Sequence, residues 1–214
     1  MRILSIDSSL GTQVAVVDTA ETAGLPGTCS VQVLSQAEQA DTRRHAESLG
    51  QMLSEALSAP GVADRPLDAV VAATGPAPFT GLRAGLVTAR VVGRTRGIPV
   101  HGVSSLDAVA RLALDELGAR QGEKDPVVLV ATDARRREVY AALFRANGPD
   151  DVTRLTEISV CPPAQVAECI AVQTPKQGSG AGTIDAVAGS GAALYPELVG
   201  TASCHEVLAP VSGD

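Results

Sequence analysis

The sequence predicts an α/β chain made of two consecutive β-β-β-α-β-α units, residues 1–103 and a reduced second unit at 104–214. Two observations carry this. A short apolar strand ending in aspartate and leading into a hairpin occurs twice, at Ile3 to Asp7 and at Val127 to Asp133. Each hairpin is followed by a third strand, a helix, a fourth strand and a glycine-bearing entry into another helix. Composition agrees: 45% of residues are hydrophobic and 19% charged, which fits a folded core rather than a charged disordered tail. Aromatic residues are 2% with no Trp, so the core must be aliphatic.

In the first unit, Ile3 to Asp7 is a short buried strand, Ser8-Ser9-Leu10-Gly11 a polar turn, and Gln13 to Asp18 the hairpin mate. Glu21 to Ser30, with Gly24, Pro26 and Gly27, reads as a loop, and Val31 to Ser35 as the third strand. A helix over about Thr42 to Leu57 ends at Pro60-Gly61. Leu67 to Thr74 is the fourth strand, Gly75-Pro76-Ala77-Pro78 a stiff loop, and Thr80 the expected cap of a helix to about Arg96. Ile98 to Val103 is the fifth strand. The second unit begins with a linking helix, Ser105 to Leu117. Strands follow at Val127 to Asp133, Val139 to Phe144 and Thr153 to Ser159, then a helix at Pro163 to Val172. Thr174 to Thr183 is rich in Gly and Ser and reads as a mobile loop. Ile184 to Ala188 is a strand, and Gly189-Ser190-Gly191 opens a short helix. This order is that of a duplicated actin/Hsp70-like (ASKHA) ATPase fold.

The formal net charge is −7, and only Lys124 and Lys176 are lysines. Proteins that hold nucleic acid alone usually offer a basic face, and single-strand readers need exposed rings. Both are scarce, so the chain is not expected to grip nucleic acid by itself. Cys29, Cys161, Cys169 and Cys204 lack CxxC spacing and read as buried free thiols. The opening apolar stretch is too short for a signal peptide, and no stretch is long enough to span a membrane. The expectation is a cytoplasmic protein.

Several residues invite a chemical reading. Asp7, Ser8 and Ser9 stand where actin-like ATPases approach ATP phosphates, although Asp and Ser also cap ordinary turns. Ala73 to Arg83 leads from a strand through two prolines to a helix N-terminus, a place that can hold anions. It lacks a P-loop Lys, and its prolines remove backbone donors. The helix beyond carries Gly81, Gly85, Ala89, Gly93 and Gly97 at every fourth position, hence on one face. Gly85 and Gly93 lie inside it at a cost of about 1 kcal/mol each against Ala. That smooth stripe fits either a foreign helix or the chain's own sheet. Leu49, Met52, Leu53, Ala56 and Leu57 make the apolar face of the preceding helix, with His45, Ser48 and Glu55 off it. His45, His101 and His205 have no ligand partner at helical spacing, and no catalytic triad order is legible.

Taken together these residues resemble the TsaB family, formerly YeaZ, the accessory subunit in making threonylcarbamoyladenosine in tRNA. The resemblance spans nearly the whole chain. It rests on Ile3 to Ser9, His45-Ala46-Glu47-Ser48-Leu49, Gly75-Pro76 through Thr80-Gly81-Leu82-Arg83 to Gly97-Ile98-Pro99-Val100, Ser104-Ser105-Leu106, and Asp133 to Tyr140. Where this chain has Arg137 the family more usually has Gly. The resemblance implies a two-lobed actin-like fold and a pseudo-enzyme. The catalytic relative TsaD uses a His-x-x-x-His metal site, which falls here near Gly102 and Leu106, neither a ligand. It implies a non-catalytic subunit that dimerises with TsaD and recruits the ATPase TsaE. The complex makes N6-threonylcarbamoyladenosine at position 37 of tRNAs reading ANN codons. ATP and metal are expected in those partners and no cofactor in this chain. The expected partner face is His45, Leu49, Met52, Leu53, Leu82, Gly85, Leu86, Ala89 and Gly93. The competing readings are a small-molecule kinase or a metallopeptidase of the same superfamily, and a homodimer through the same helices when the partner is absent. A kinase would need a carboxylate, Asp7 or Asp133, and a second phosphate loop, for which Gly189-Ser190-Gly191 is the candidate.

Overall fold

The computed structural model describes residues 1–22, 29–39, 45–121, 125–173, 184–201 and 207–208. It divides into two compact units, the first Met1–Ser105 and the second Leu106–Val211.

The first unit is a five-stranded sheet in the order β3-β2-β1-β4-β5. Its strands are β1 (Arg2–Asp7), β2 (Thr12–Glu21), β3 (Cys29–Gln39), β4 (Ala69–Ala73) and β5 (Val100–Val103). β1 and β2 form the expected antiparallel hairpin, and β4 joins β1 in parallel. β2 and β3 are longer than expected. They stay paired from Thr12 opposite Gln39 to Glu21 opposite Cys29, so Glu21, Cys29 and Ser30 of the supposed loop belong to the ladder. Its residues 23–28 lie outside the described residues. β4 and β5 are shorter than expected. Leu67, Ile98 and Pro99 still contribute to the unit: Leu67 is buried, Ile98 packs on the core, and the Pro99 carbonyl accepts from Val70 N–H. Helix α1 (His45–Ser58) and helix α2 (Phe79–Arg96) share one face of the sheet. The expected start of α1 at Thr42 lies outside the described residues. Thr80 does not cap α2: Pro78 occupies that position with no side-chain bond to the helix. A proline sets φ for the turn without needing a donor. At the other end Gly97, at φ +67°, gives its N–H to the Gly93 carbonyl, a left-handed helix stop. Leu4, Ile6, Val14, Val16, Val70 and Ala72 alternate along their strands and meet Leu49, Met52, Ala56, Ala89 and Val92 from the helices.

The second unit repeats the order with changes. Helix α3 (Ser105–Gln121) leads into β6 (Val128–Arg135) and β7 (Glu138–Ala146). It is not a mere link. Leu106, Val109, Ala110, Ala113, Leu114 and Leu117 cover one face of this unit's sheet. The expected third strand splits into β8 (Val152–Arg154) and β9 (Ser159–Cys161), both paired to β7. A 3-10 turn, Pro163–Gln165, precedes α4 (Val166–Gln173). β10 (Ala186–Ala188), α5 (Ser190–Leu194), a 3-10 segment Pro196–Thr201 and β11 (Val207–Leu208) complete it. The loop expected at Thr174 to Thr183 lies outside the described residues. Val127, Leu129, Ala131 and Val187 face a second core built with Val166, Ile170 and Leu198. The sheet is therefore covered on both faces, which explains the unbroken apolar run Val127–Ala131.

Cys161 is buried and Cys169 half-buried, but Cys29 is exposed at the start of β3, contrary to its reading as a buried thiol. No helix among the described residues is long and apolar enough to cross a membrane.

Candidate functional site

Three places in the fold correspond to the residues singled out in the sequence. The first is the turn after β1. An Asp7 carboxylate oxygen accepts the Ser9 N–H at 2.7 Å, closing the turn on itself. Ser8 and Ser9 are buried. The Ser8 hydroxyl donates to the Gly81 carbonyl at 2.9 Å and accepts from the Gly85 N–H at 3.1 Å. Asp7, Ser8 and Ser9 thus spend these groups on the unit's own backbone. The loop into α2 is likewise packed on its own helix: a Cβ at Gly75 would meet Leu82 at 2.9 Å.

The second place is α2. The small-residue stripe faces this unit's own strands. A Cβ at Gly85 would collide with the Ser8 hydroxyl and lie 3.5 Å from Ile6, and one at Gly93 would collide with Val100. Ala89, Leu49 and Met52 are buried in the same core, Leu53 and Leu86 pack against it, and Leu82 is half-buried beside Gly75. Of the nominated partner face, Leu49, Met52, Gly85, Ala89 and Gly93 are thus buried within this unit, while Leu53, Leu82 and Leu86 are half-buried. The His45 side chain lies outside the described residues. The outer side of α2 is different. Val87 and Val91, 60% and 54% exposed, stand among exposed Arg83, Arg90 and Arg94. Val87, Arg90, Val91 and Arg94 line an open groove of about 620 Å³ with Ile98 and Val100. The sequence reading missed Val87 and Val91. Their signal was present: two valines four apart, turned away from the glycines.

The third place is the turn after β6. An Asp133 carboxylate oxygen accepts the Arg135 N–H at 3.0 Å, the same closure as at Asp7, and Asp133 N–H donates to the Ser190 hydroxyl at 3.2 Å. Gly189 and Gly191 press on Ala131: a Cβ at Gly191 would stand 2.9 Å from its carbonyl oxygen. The candidate phosphate loop is filled by the neighbouring strand. Arg135, Arg136 and Arg137 all hold positive φ, at 66°, 56° and 63°. Left-handed backbone costs a residue with a side chain roughly 1–2 kcal/mol. Gly is the usual answer at such a position, and this chain has Arg.

His101 lies exposed on β5, beside Gly102, and Leu106 is fully buried in the second unit. Among the described residues no three His, Cys, Asp or Glu side chains stand together as a metal site.

A family model described as TsaD, tRNA N6-adenosine threonylcarbamoyltransferase, matches residues 32–196. An uncharacterized protein of Mycobacterium tuberculosis is 41% identical over 143 residues, covering 64% of this chain and 63% of that protein. A tRNA N6-adenosine threonylcarbamoyltransferase of Rhizobium meliloti is 34% identical over 123 residues, covering 53% of this chain and 34% of the enzyme. The matched stretches thus span less than two thirds of these relatives' lengths. Among solved structures, YeaZ from Pseudomonas aeruginosa superposes with a TM-score of 0.67 at 22% identity, covering 99% of this chain and 85% of YeaZ. The fold is that of YeaZ, and the chain belongs to the TsaD family of tRNA N6-adenosine threonylcarbamoyltransferases.

Proposed function

We propose that this chain is a TsaB-type, non-catalytic subunit of the complex that forms N6-threonylcarbamoyladenosine at position 37 of tRNAs reading ANN codons. It docks on TsaD, which holds the metal and does the chemistry, and the pair recruits the ATPase TsaE. tRNA is met only inside that cytoplasmic assembly. The observation that carries this reading is the outer face of α2. Val87 and Val91 are more than half exposed beside a groove whose lining includes Arg90 and Arg94. Exposed apolar surface of this kind, rimmed by charge, marks a protein interface. The same face would pair two copies when TsaD is absent. The non-catalytic assignment is supported by the first turn, where the Ser8 hydroxyl and the Ser9 N–H are engaged within the chain. It is supported further by Gly102 and Leu106, which supply no ligand where TsaD has its metal site.

The test is Val87→Glu with Val91→Glu. Both side chains are exposed, so the isolated variant should melt within a few degrees of the parent. Co-purification with the TsaD of the same genome should be lost, and stimulation of tRNA modification should fall at least tenfold. Parental association by a folded double variant would remove this face from the interface.

A further inference from the structure

We propose that the turn Arg135-Arg136-Arg137 is a phosphate-binding site that takes the RNA backbone of the tRNA presented to the assembly; it rests on the reading above that the chain works in a tRNA-modifying complex. The turn joins β6 to β7. Arg135 pairs with Glu138, leaving Arg136 and Arg137 as the two-residue loop, and the register slips between Asp133 and Arg135. Two-residue hairpin loops with positive φ at both positions are normally Asn-Gly or Asp-Gly. Here the backbone is left-handed at three successive arginines. Strain of this kind persists where the surroundings hold it and gathers at ligand clamps.

Contacts within the chain do not account for the choice of Arg. All three residues are exposed. Arg135 stands 3.6 Å from Asp133, whose carboxylate is turned inward and 14% exposed. Among the described residues, Arg136 and Arg137 have no hydrogen-bond or ion-pair partner. Two exposed arginines therefore stand at adjacent positions of a short hairpin loop, with Arg135 next to them in sequence. The planar guanidinium fork matches two phosphate oxygens, which a lysine ammonium does not. A chain of net charge −7 has no general attraction for RNA, so a local arginine cluster is the kind of contact that positions a backbone without reading bases.

The test uses the full chain with and without TsaD, and a tRNA transcript reading an ANN codon, across a salt series. Arg136→Asn with Arg137→Gly installs the residues such a loop prefers, so the fold is kept or strengthened. The expected result is about a tenfold loss of tRNA affinity in the complex. The slope of log K against log salt should become shallower by about 1–2, since each lost phosphate contact removes roughly 0.7–0.9. Binding to TsaD should be parental. Arg136→Gln with Arg137→Gln should give the same loss on an unrelieved backbone. Unchanged affinity and slope in both variants, or a parental complex that does not bind tRNA, overturns the proposal. Loss of TsaD binding in the variants overturns it in favour of a protein contact. Loss of ATP binding with parental tRNA binding overturns it in favour of a free nucleotide. Failure of the parent to bind TsaD would instead reject the subunit reading, and the salt series on the chain alone still reads the turn.

Discussion

Ser8 and Gly85 show how one hydroxyl decides the use of a whole helix face. The hydroxyl bridges the Gly81 carbonyl and the Gly85 N–H, groups four residues apart on α2. It reaches them only because position 85 has no Cβ to exclude it. The glycine spacing was legible, and so were its two possible uses. Which use applied was not, because it depends on where β1 ends, 77 residues away in sequence. The two uses give opposite thermal results for Gly85→Leu. On a foreign helix the change leaves the chain intact and gains helix propensity of roughly 0.8 kcal/mol. Against Ser8 and Ile6 it overpacks the core, which costs about 1–3 kcal/mol. The structure predicts the second. Urea unfolding of Gly85→Leu should show a lower midpoint than the parent, and a midpoint at or above the parent would reject this packing. Ser8→Ala probes the other side of the contact. It removes the partner of a buried N–H, with an expected cost of about 1–3 kcal/mol by the same measurement.

At the scale of elements, the chain start is held by a cluster that no periodicity announced. Arg2 is buried at the head of β1. Its guanidinium donates twice to Asp18 on β2, at 3.1 and 2.9 Å, and to Asp64 at 2.8 Å and the Val62 carbonyl at 3.0 Å between α1 and β4. Its backbone N–H donates to Asp68 at 2.6 Å. One side chain thus ties two strands to the connection that returns the chain from α1. The hydrogen bond from Arg2 holds the Asp18 carboxyl below the usual range, and the Arg2 backbone N–H does the same for Asp68. A carboxyl with a lowered folded pKa adds stability above its unfolded pKa, about 4. That contribution disappears as pH falls through the lower folded value. Arg2→Met should therefore destabilise the chain at pH 7, and the gap to the parent should narrow as pH drops below about 4. Denaturant unfolding at pH 7, 5 and 3 measures the gap; a constant gap would mean Asp18 is not coupled to the Arg2 side chain, the Asp68 bond to the Arg2 backbone N–H being kept in the variant. Burial in the second unit also broke an expected element. The Leu143 N–H donates to the Thr156 hydroxyl at 3.0 Å, and Thr156 is buried. A side chain there takes the place of a ladder partner, so the single strand expected at Thr153 to Ser159 becomes β8 and β9.

At the scale of the molecule, the duplication was legible because it is written in hydrophobic pattern and turn chemistry, both local. The aspartate closing the first hairpin and the one closing the second make the same bond, to the N–H two residues on, at 2.7 and 3.0 Å. What local pattern does not contain is whether such a turn is open to a ligand. A kinase of this fold class needs a carboxylate and phosphate loops with free donors. Here the Ser9 and Arg135 N–H groups are taken by Asp7 and Asp133, and the Asp133 N–H by Ser190. Gly189 and Gly191, the candidate second loop, are pressed against Ala131. A nucleotide at either turn would have to displace these bonds, part-buried at Ser9 and Asp133 and exposed at Arg135, before making its own. The full chain is therefore expected to show no micromolar affinity for ATP with magnesium by titration calorimetry. Heat of binding at micromolar ATP, abolished by Asp7→Ala or Asp133→Ala, would show that the turns open and would restore the kinase reading in place of the subunit one.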